Sequence, residues 1–302
     1  METTDKTGKK ITPEIDPKNK RKRQFGHIVT ISPVMIWMLV LVLVPLLIVA
    51  GMGFMTRGNY GEVEYKFTLD NYKMLVKPIY LKILLDSLGI AFLTTFFCLI
   101  LGYPFAYFVA NVSAKFKVIL FMLIMIPFWT NSLVRTYAWI VILRTTGVLN
   151  SYLMQMGIIH SPLQLLYTNG AVILGLTYTL FPFMVLSLYS SIEALDKTYL
   201  EAASDLGASP VQTFLRVTLP LTMPGISAGI ILVFIPTLGL FYVSDLLGGS
   251  KTMLIGNLIQ NQFLTARNWP FGSAMSILLI AITVLFIVVY FKHSNGKELE
   301  VL

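Results

Sequence analysis

Glu201-Ala-Ala-Ser-Asp-Leu-Gly207, continued by Ala208-Ser-Pro-Val-Gln-Thr-Phe-Leu-Arg-Val-Thr-Leu-Pro220, is a polar stretch set between two long apolar runs, residues 171–192 and 222–246. Its neighbours define the class. Of the 302 residues 56% are apolar and 13% charged, more apolar side chain than one soluble core of this length could cover. The chain therefore reads as a polytopic membrane protein. Crossing the hydrocarbon takes roughly 20 residues of apolar helix, and six runs qualify: 29–54, 83–110, 116–143, 171–192, 222–246 and 272–291. Lipid offers the backbone no hydrogen bonds, and these runs are too long and continuous for barrel strands. An all-α integral membrane protein with six transmembrane helices is expected.

Lys and Arg set the orientation. The segment before the first run carries Lys6, Lys9, Lys10, Lys18, Lys20, Arg21, Lys22 and Arg23, the tightest basic cluster in the chain, which predicts a cytoplasmic N-terminus. Six crossings return the C-terminus to the same side. Lys115, Lys117, Lys197, Arg216, Lys292 and Lys297 are then cytoplasmic, whereas the loop from Arg57 to Lys82, with Glu62, Glu64 and Asp70, faces out. The stretch from Glu201 to Pro220 falls on the cytoplasmic side. Residues 1–25, polar, with Pro13 and Pro17 and no apolar periodicity, read as a disordered basic tail that enforces topology, with anionic headgroups of the bilayer as an alternative partner. Residues 26–302 read as the transmembrane domain. The leader is too long for a cleavable signal peptide, and no small-residue cleavage site follows the first run.

Several chemistries are excluded. Cys98 stands alone inside an apolar run, so neither a disulfide framework nor a cysteine metal site is expected, and it reads as a small buried hydrophobe. His27, His160 and His293 are scattered without metal-ligand spacing. No phosphate-binding G-x-x-x-x-G-K-[ST] loop, G-x-S-x-G elbow or H-E-x-x-H motif occurs. No metal, cofactor or nucleic-acid partner is expected. Energy for work against a gradient would come from elsewhere.

Within the polar stretch, helix formers predominate from Lys197 to Leu206, Gly207 breaks the helix, and Ser209-Pro210 reads as cap and first residue of a second short helix ending before Pro220. The small pair Ala202-Ala203 would let another surface approach closely, and Glu201 and Asp205, four apart, share one face. Helix physics alone equally allows an amphipathic interfacial connector.

Glu201, Ala202, Ala203 and Gly207, then nine residues, then Val217-Thr218-Leu219-Pro220, resemble the E-A-A loop of permease subunits of binding-protein-dependent ABC importers, with Val217 where isoleucine is more usual. The resemblance implies the type I ABC importer permease fold. It also implies that residues 197–220 form a cytoplasmic coupling helix, with Glu201, Ala202, Ala203, Asp205 and Gly207 docking into a groove on an ATPase dimer. Ile126-Pro-Phe-Trp-Thr-Asn-Ser-Leu-Val-Arg135, Leu188-Tyr-Ser-Ser-Ile-Glu-Ala-Leu-Asp-Lys197, Phe241-Tyr-Val-Ser-Asp-Leu-Leu-Gly-Gly249 and Asn268-Trp-Pro-Phe-Gly272 resemble the B-type permeases of spermidine/putrescine importers, and the basic leader lies outside the likeness. What this implies is a transport subunit of the bacterial inner membrane. It would work with a second, homologous permease, a cytoplasmic ATPase dimer and a periplasmic polyamine-binding protein, by alternating access driven by ATP in the partner.

A flexible polycation would need acceptors and π-faces along a wet path. Asp245, near the outer end of the fifth run, could supply a carboxylate, or could cap the Gly248-Gly249 turn in water. Tyr242 lies three residues before it on the same face. Thr237, beside the helix-kinking Pro236, lies more than halfway across the fifth run, and family resemblance adds Tyr178 and Thr179 before the coupling loop. Tyr178 reads equally as an interfacial aromatic. Trp129 and Asn131 interrupt the third run after Pro127, and Asn131 should face the bundle or its cavity. Arg135 is expected to snorkel outward or pair with an acid, and Gly225 and Gly229 form a small-residue contact, conceivably with the partner permease. Alternative readings are an ABC importer permease for another solute, or a self-sufficient channel or secondary transporter. A membrane enzyme would need a cluster of acids, histidines or a metal site, which is not visible.

Overall fold

A computed structural model describes residues 17–249 and 252–293. In order, the elements are α1 (Pro17–Met52), β1 (Met55–Arg57), β2 (Val63–Phe67), α2 (Asp70–Leu75), α3 (Pro78–Asn111), α4 (Ala114–Trp129), α5 (Ser132–Leu143), α6 (Val148–Gln155) and α7 (Asn169–Glu193). They continue with α8 (Thr198–Asp205), α9 (Pro210–Thr213), a π turn (Phe214–Thr218), α10 (Leu219–Leu221), α11 (Met223–Gly239), α12 (Phe241–Gly248), α13 (Ile255–Leu264) and α14 (Trp269–His293). Four helices are long and apolar enough to span a membrane, and six spans result if each of two bent pairs counts as one.

Among the described residues, 17–51 form one unit and those from 52 onward another. In the first, α1 starts at Pro17, so the last part of the segment read as a disordered tail is helical. Proline's fixed φ and missing N–H suit a first helical turn. Residues 1–16, and with them Lys6, Lys9 and Lys10, lie outside the described residues, as does Lys297.

The second unit is built on α3, α7 and α11. Cys98, Tyr103 and Ala106 of α3, Leu180, Met184, Val185 and Leu188 of α7, and Ile226 and Val233 of α11 form its first core cluster. Without a hydrophobic drive between helices in lipid, close approach through small residues supplies the cohesion. Gly225 sits against Ser187 and Ser191 of α7, and Gly229 against Met184. The close-packing contact expected of this glycine pair is made with α7 of the same chain. A second cluster joins Leu143, Val172, Leu176, Val243 and Leu247, and a third joins Leu75, Ile255, Leu258, Phe271 and Met275.

Two expected spans are bent. The third run breaks by 94° after Trp129. The Thr130 hydroxyl turns back to the Pro127 carbonyl at 2.7 Å, while the Asn131 side chain accepts the Leu133 N–H at 2.9 Å and caps α5. Asn131 therefore starts a helix, because its amide oxygen gives the Leu133 N–H the partner that the first turn lacks. The fifth run, expected to kink at Pro236, breaks one turn later at Leu240, where ψ is 65°. A short antiparallel hairpin, β1 with β2, was also not foreseen; Arg57 donates from Nη2 to the Ala266 carbonyl at 2.7 Å and ties it to the loop before α14. Its five-residue strand is too short to leave a clear alternation in the sequence.

Candidate coupling loop and transport path

The candidate coupling loop, residues 197–220, is assembled by local hydrogen bonds. The Asp196 carboxylate accepts the Thr198 N–H at 2.9 Å and hydroxyl at 2.7 Å, and these donors hold it below the usual carboxylate range. At the other end of α8, Gly207 takes φ of 76°, where an L side chain would be strained, and its N–H reaches Ser204 O at 2.9 Å while that of Ala208 reaches Ala203 O at 3.0 Å. This closes the helix as a Schellman motif. Ser209 then caps the next helix: its hydroxyl accepts the Gln212 N–H, and the Gln212 side chain accepts the Ser209 N–H at 3.0 Å. The two-arm shape matches expectation, except that the second arm runs through Pro220 to Leu221 before a 63° bend into α11.

Glu201, Ala202, Asp205 and Gly207 are exposed, but Ala203 is buried. Neighbours on a helix point about 100° apart, so the alanine pair is split, with Ala202 exposed and Ala203 buried. Neither Glu201 nor Asp205 enters an ion pair among the described residues. Tyr199, Leu206, Val211 and Leu215 are exposed alongside them, Leu206 to 89%. Acids beside uncovered apolar side chains make a surface suited to a protein groove.

In the bundle, Tyr178 lines an apolar cavity of about 560 Å³ with Phe97, Leu101, Trp139 and Phe181. The bend after Trp129 carries α5 so that the Arg135 guanidinium lies 5.8 Å from the Tyr178 ring centre and 5.5 Å from that of Phe128. Its Nε is buried without a hydrogen-bond partner, and no acid pairs with it among the described residues. Of the two expected outcomes, snorkelling outward or pairing with an acid, the acid partner is not present among the described residues, and two aromatic rings flank the guanidinium. Thr179 and Thr237 are buried, and their hydroxyls donate to Gly175 O at 2.8 Å and Val233 O at 2.7 Å. Both are absorbed into their own helices and neither lines the Tyr178 cavity. Trp129 is 84% exposed.

Asp245 is exposed and Tyr242 half-buried on α12. The Gly249 N–H reaches the Asp245 main-chain oxygen, whereas the Asp245 carboxylate accepts from Asn257 Nδ2. Asn257, 5% exposed, also donates to the Phe241 carbonyl at 2.9 Å, accepts the Leu254 N–H at 3.2 Å and bonds the Ser244 hydroxyl. This amide joins α12 to α13 and orients Asp245. Sequence reasoning missed it, although an amide in the apolar run Leu254-Ile-Gly-Asn-Leu-Ile259 is a detectable signal. Asn257→Leu should leave the buried Leu254 N–H without its partner, with Ser244 and the Phe241 carbonyl keeping only the bond to each other, and lower stability by about 1–3 kcal/mol in a denaturation series on the purified protein.

Residues 102–293 match the family model described as binding-protein-dependent transport system inner membrane component. The spermidine/putrescine transport system permease protein PotB of Salmonella typhimurium is 50% identical over 92% of this chain and 96% of its own, and that of Escherichia coli K12 is 51% identical over 87% and 97%. That of Haemophilus influenzae is 47% identical over 88% and 93%. Among solved structures, a bacterial ABC transporter involved in import of the acidic polysaccharide alginate shares the fold, with a TM-score of 0.75 over 91% of this chain and 97% of that one at 17% identity. With its family model spanning most of the bundle and half-identical relatives covering nearly all of it, this multi-pass transport permease belongs to the binding-protein-dependent transport system inner membrane component family.

Proposed function

We propose that this chain is the B-type permease of an ATP-driven polyamine importer, and that it forms the pathway together with a second, homologous permease. The reading is carried by relatives about half identical over nearly the whole of both chains, which are named as spermidine/putrescine permeases. A cytoplasmic ATPase dimer docks on residues 197–220 and supplies energy, a periplasmic binding protein delivers cargo, and both termini lie in the cytoplasm. Closure of the ATPases tilts the permeases to open the path outward, and hydrolysis resets it.

Arg135 decides where the cation passes. A guanidinium over the Tyr178 ring disfavours a polycation in that cavity, so the contact falls to Asp245 with Tyr242, where a carboxylate and a ring share one face. Trp129 and Asn131, at the outward bend of the third run, border the same mouth in this reading, and Thr237 and Thr179 serve it as packing.

Uptake of labelled putrescine and spermidine into proteoliposomes tests the function. Accumulation is expected with both permeases, ATPase, binding protein and ATP, and none when the ATPase is left out. Accumulation without the ATPase would favour a self-sufficient transporter. Asp245→Asn tests the site, because its amide oxygen still accepts from Asn257 while the charge is gone. The KM for uptake should rise about tenfold, the value of one lost charge-assisted contact near 1.4 kcal/mol; an unchanged KM and rate would remove Asp245 from the path.

A further inference from the structure

Tyr103 belongs to none of the sites above. It lies on α3, 8% exposed, with its hydroxyl 2.9 Å from Thr222 Oγ1. The single Thr222 hydroxyl proton is directed at Thr218 O, 2.9 Å away, so Tyr103 is the donor of the pair. The result is a chain from Tyr103 through Thr222 to the Thr218 carbonyl, with both threonines fully buried. The same phenol ring meets Phe214 edge-on, centroids 5.5 Å apart at 86°. Phe214 and Thr218 are the first and last residues of the π turn. One side chain of α3 thus grips both ends of that turn.

The location gives the grip its meaning. A π turn is a wide, locally deformable piece of helix and often sits at a functional joint. Here it stands between the docking arm α8 and the 63° bend at Thr222 that opens α11. Left free, such a joint would absorb movement of α8. Beyond the bend, the Ser187 hydroxyl donates to Gly225 O at 2.9 Å and fastens α11 to α7.

We propose that Tyr103 is a clamp that makes the π turn rigid, so that a displacement received on α8 moves α3 and α11 together. The proposal rests on the reading of residues 197–220 as the ATPase-docking loop. Tyr103 acts as a positioning residue and touches neither cargo nor nucleotide.

The test uses the full complex in lipid nanodiscs or proteoliposomes, with Tyr103→Phe and Thr222→Val made singly and together. Each carries Ala228→Cys, an exposed position on α11, as a maleimide reporter; the native Cys98 is 0% exposed and stays silent. In the parent, the labelling rate should differ between nucleotide-free and vanadate-trapped states. Tyr103→Phe is expected to shrink that difference about fivefold or more and to lower cargo moved per ATP hydrolysed by a similar factor. The double variant should be no worse than Thr222→Val alone, because that substitution already removes the Tyr103 bond along with the one to Thr218 O. An unchanged labelling difference in Tyr103→Phe would overturn the clamp, as would losses that add in the double variant or that merely follow the amount of assembled complex. The polyamine reading fails separately: the parent would then show the nucleotide-dependent labelling without uptake of putrescine or spermidine, and the labelling arm still decides the clamp. A parent with no nucleotide-dependent labelling overturns the docking loop and the clamp together.

Discussion

Glu201→Lys is expected to abolish ATP-driven uptake while leaving the permease folded. Glu201 is exposed on α8 and unpaired among the described residues, so reversing its charge removes no contact that holds this chain together. Its cost would fall on docking. Asp205, also exposed and one turn further on, shares the face, and a lysine between it and the ATPase groove replaces an attraction with like-charge repulsion at a desolvated contact. A loss of about a hundredfold or more in affinity for the ATPase is the expected scale for such a change. Co-purification of the ATPase with the membrane subunits measures it directly, and Glu201→Gln should fall between parent and lysine. Normal assembly and uptake in Glu201→Lys would show that this face does not dock.

Gly225→Val is expected to fail at the opposite level, in the fold. A Cβ at this position would overlap Ser191 and stand 2.8 Å from the Ser187 carbonyl, where no side-chain rotation of the new residue relieves it. The α7–α11 contact must open, and the Ser187 hydroxyl bond to Gly225 O opens with it. Overpacking of this kind costs about 1–3 kcal/mol before the buried hydrogen bond is counted, which is a large share of a typical stability. The expected outcome is a protein degraded in the membrane or recovered with its melting temperature sharply lowered, measured by thermal denaturation in detergent. Gly225→Ala should show the same defect in smaller measure. A Gly225→Val protein of parental stability would mean that α7 and α11 are not in this contact.

The long helices were legible in the sequence because hydropathy over about 20 residues reports the lipid directly. The run read as 171–192 is α7, Asn169–Glu193. The turn chemistry around Gly207 and Ser209-Pro210 was legible for a similar reason: φ near 76° at Gly207 and a capping box at Ser209 depend on residues within four positions of each other. Less local features were not. Hydropathy is blind to direction, so the runs 116–143 and 222–246 showed an interruption after Pro127 and a kink at Pro236, but neither the 94° size of the first bend nor the break at Leu240 in the second. Thr179 and Thr237 were picked by depth, which follows from counting along a helix; that both are buried with their hydroxyls on their own helices depends on which helices pack beside them.

The sequence by itself determined a multi-spanning helical membrane protein and the two-arm loop over residues 197–220, which rest on the solvent around the chain and on short-range backbone geometry, while its resemblance to permeases pointed to the family. Only the tertiary structure decided which residues meet across it: Gly225 against α7 rather than against another subunit, Asn257 holding Asp245, Arg135 over the Tyr178 ring, and Tyr103 at Thr222. Those contacts join residues from 12 to 119 positions apart. Their partners are selected by how helices of similar apolar composition pack, and no periodicity along the chain records that choice.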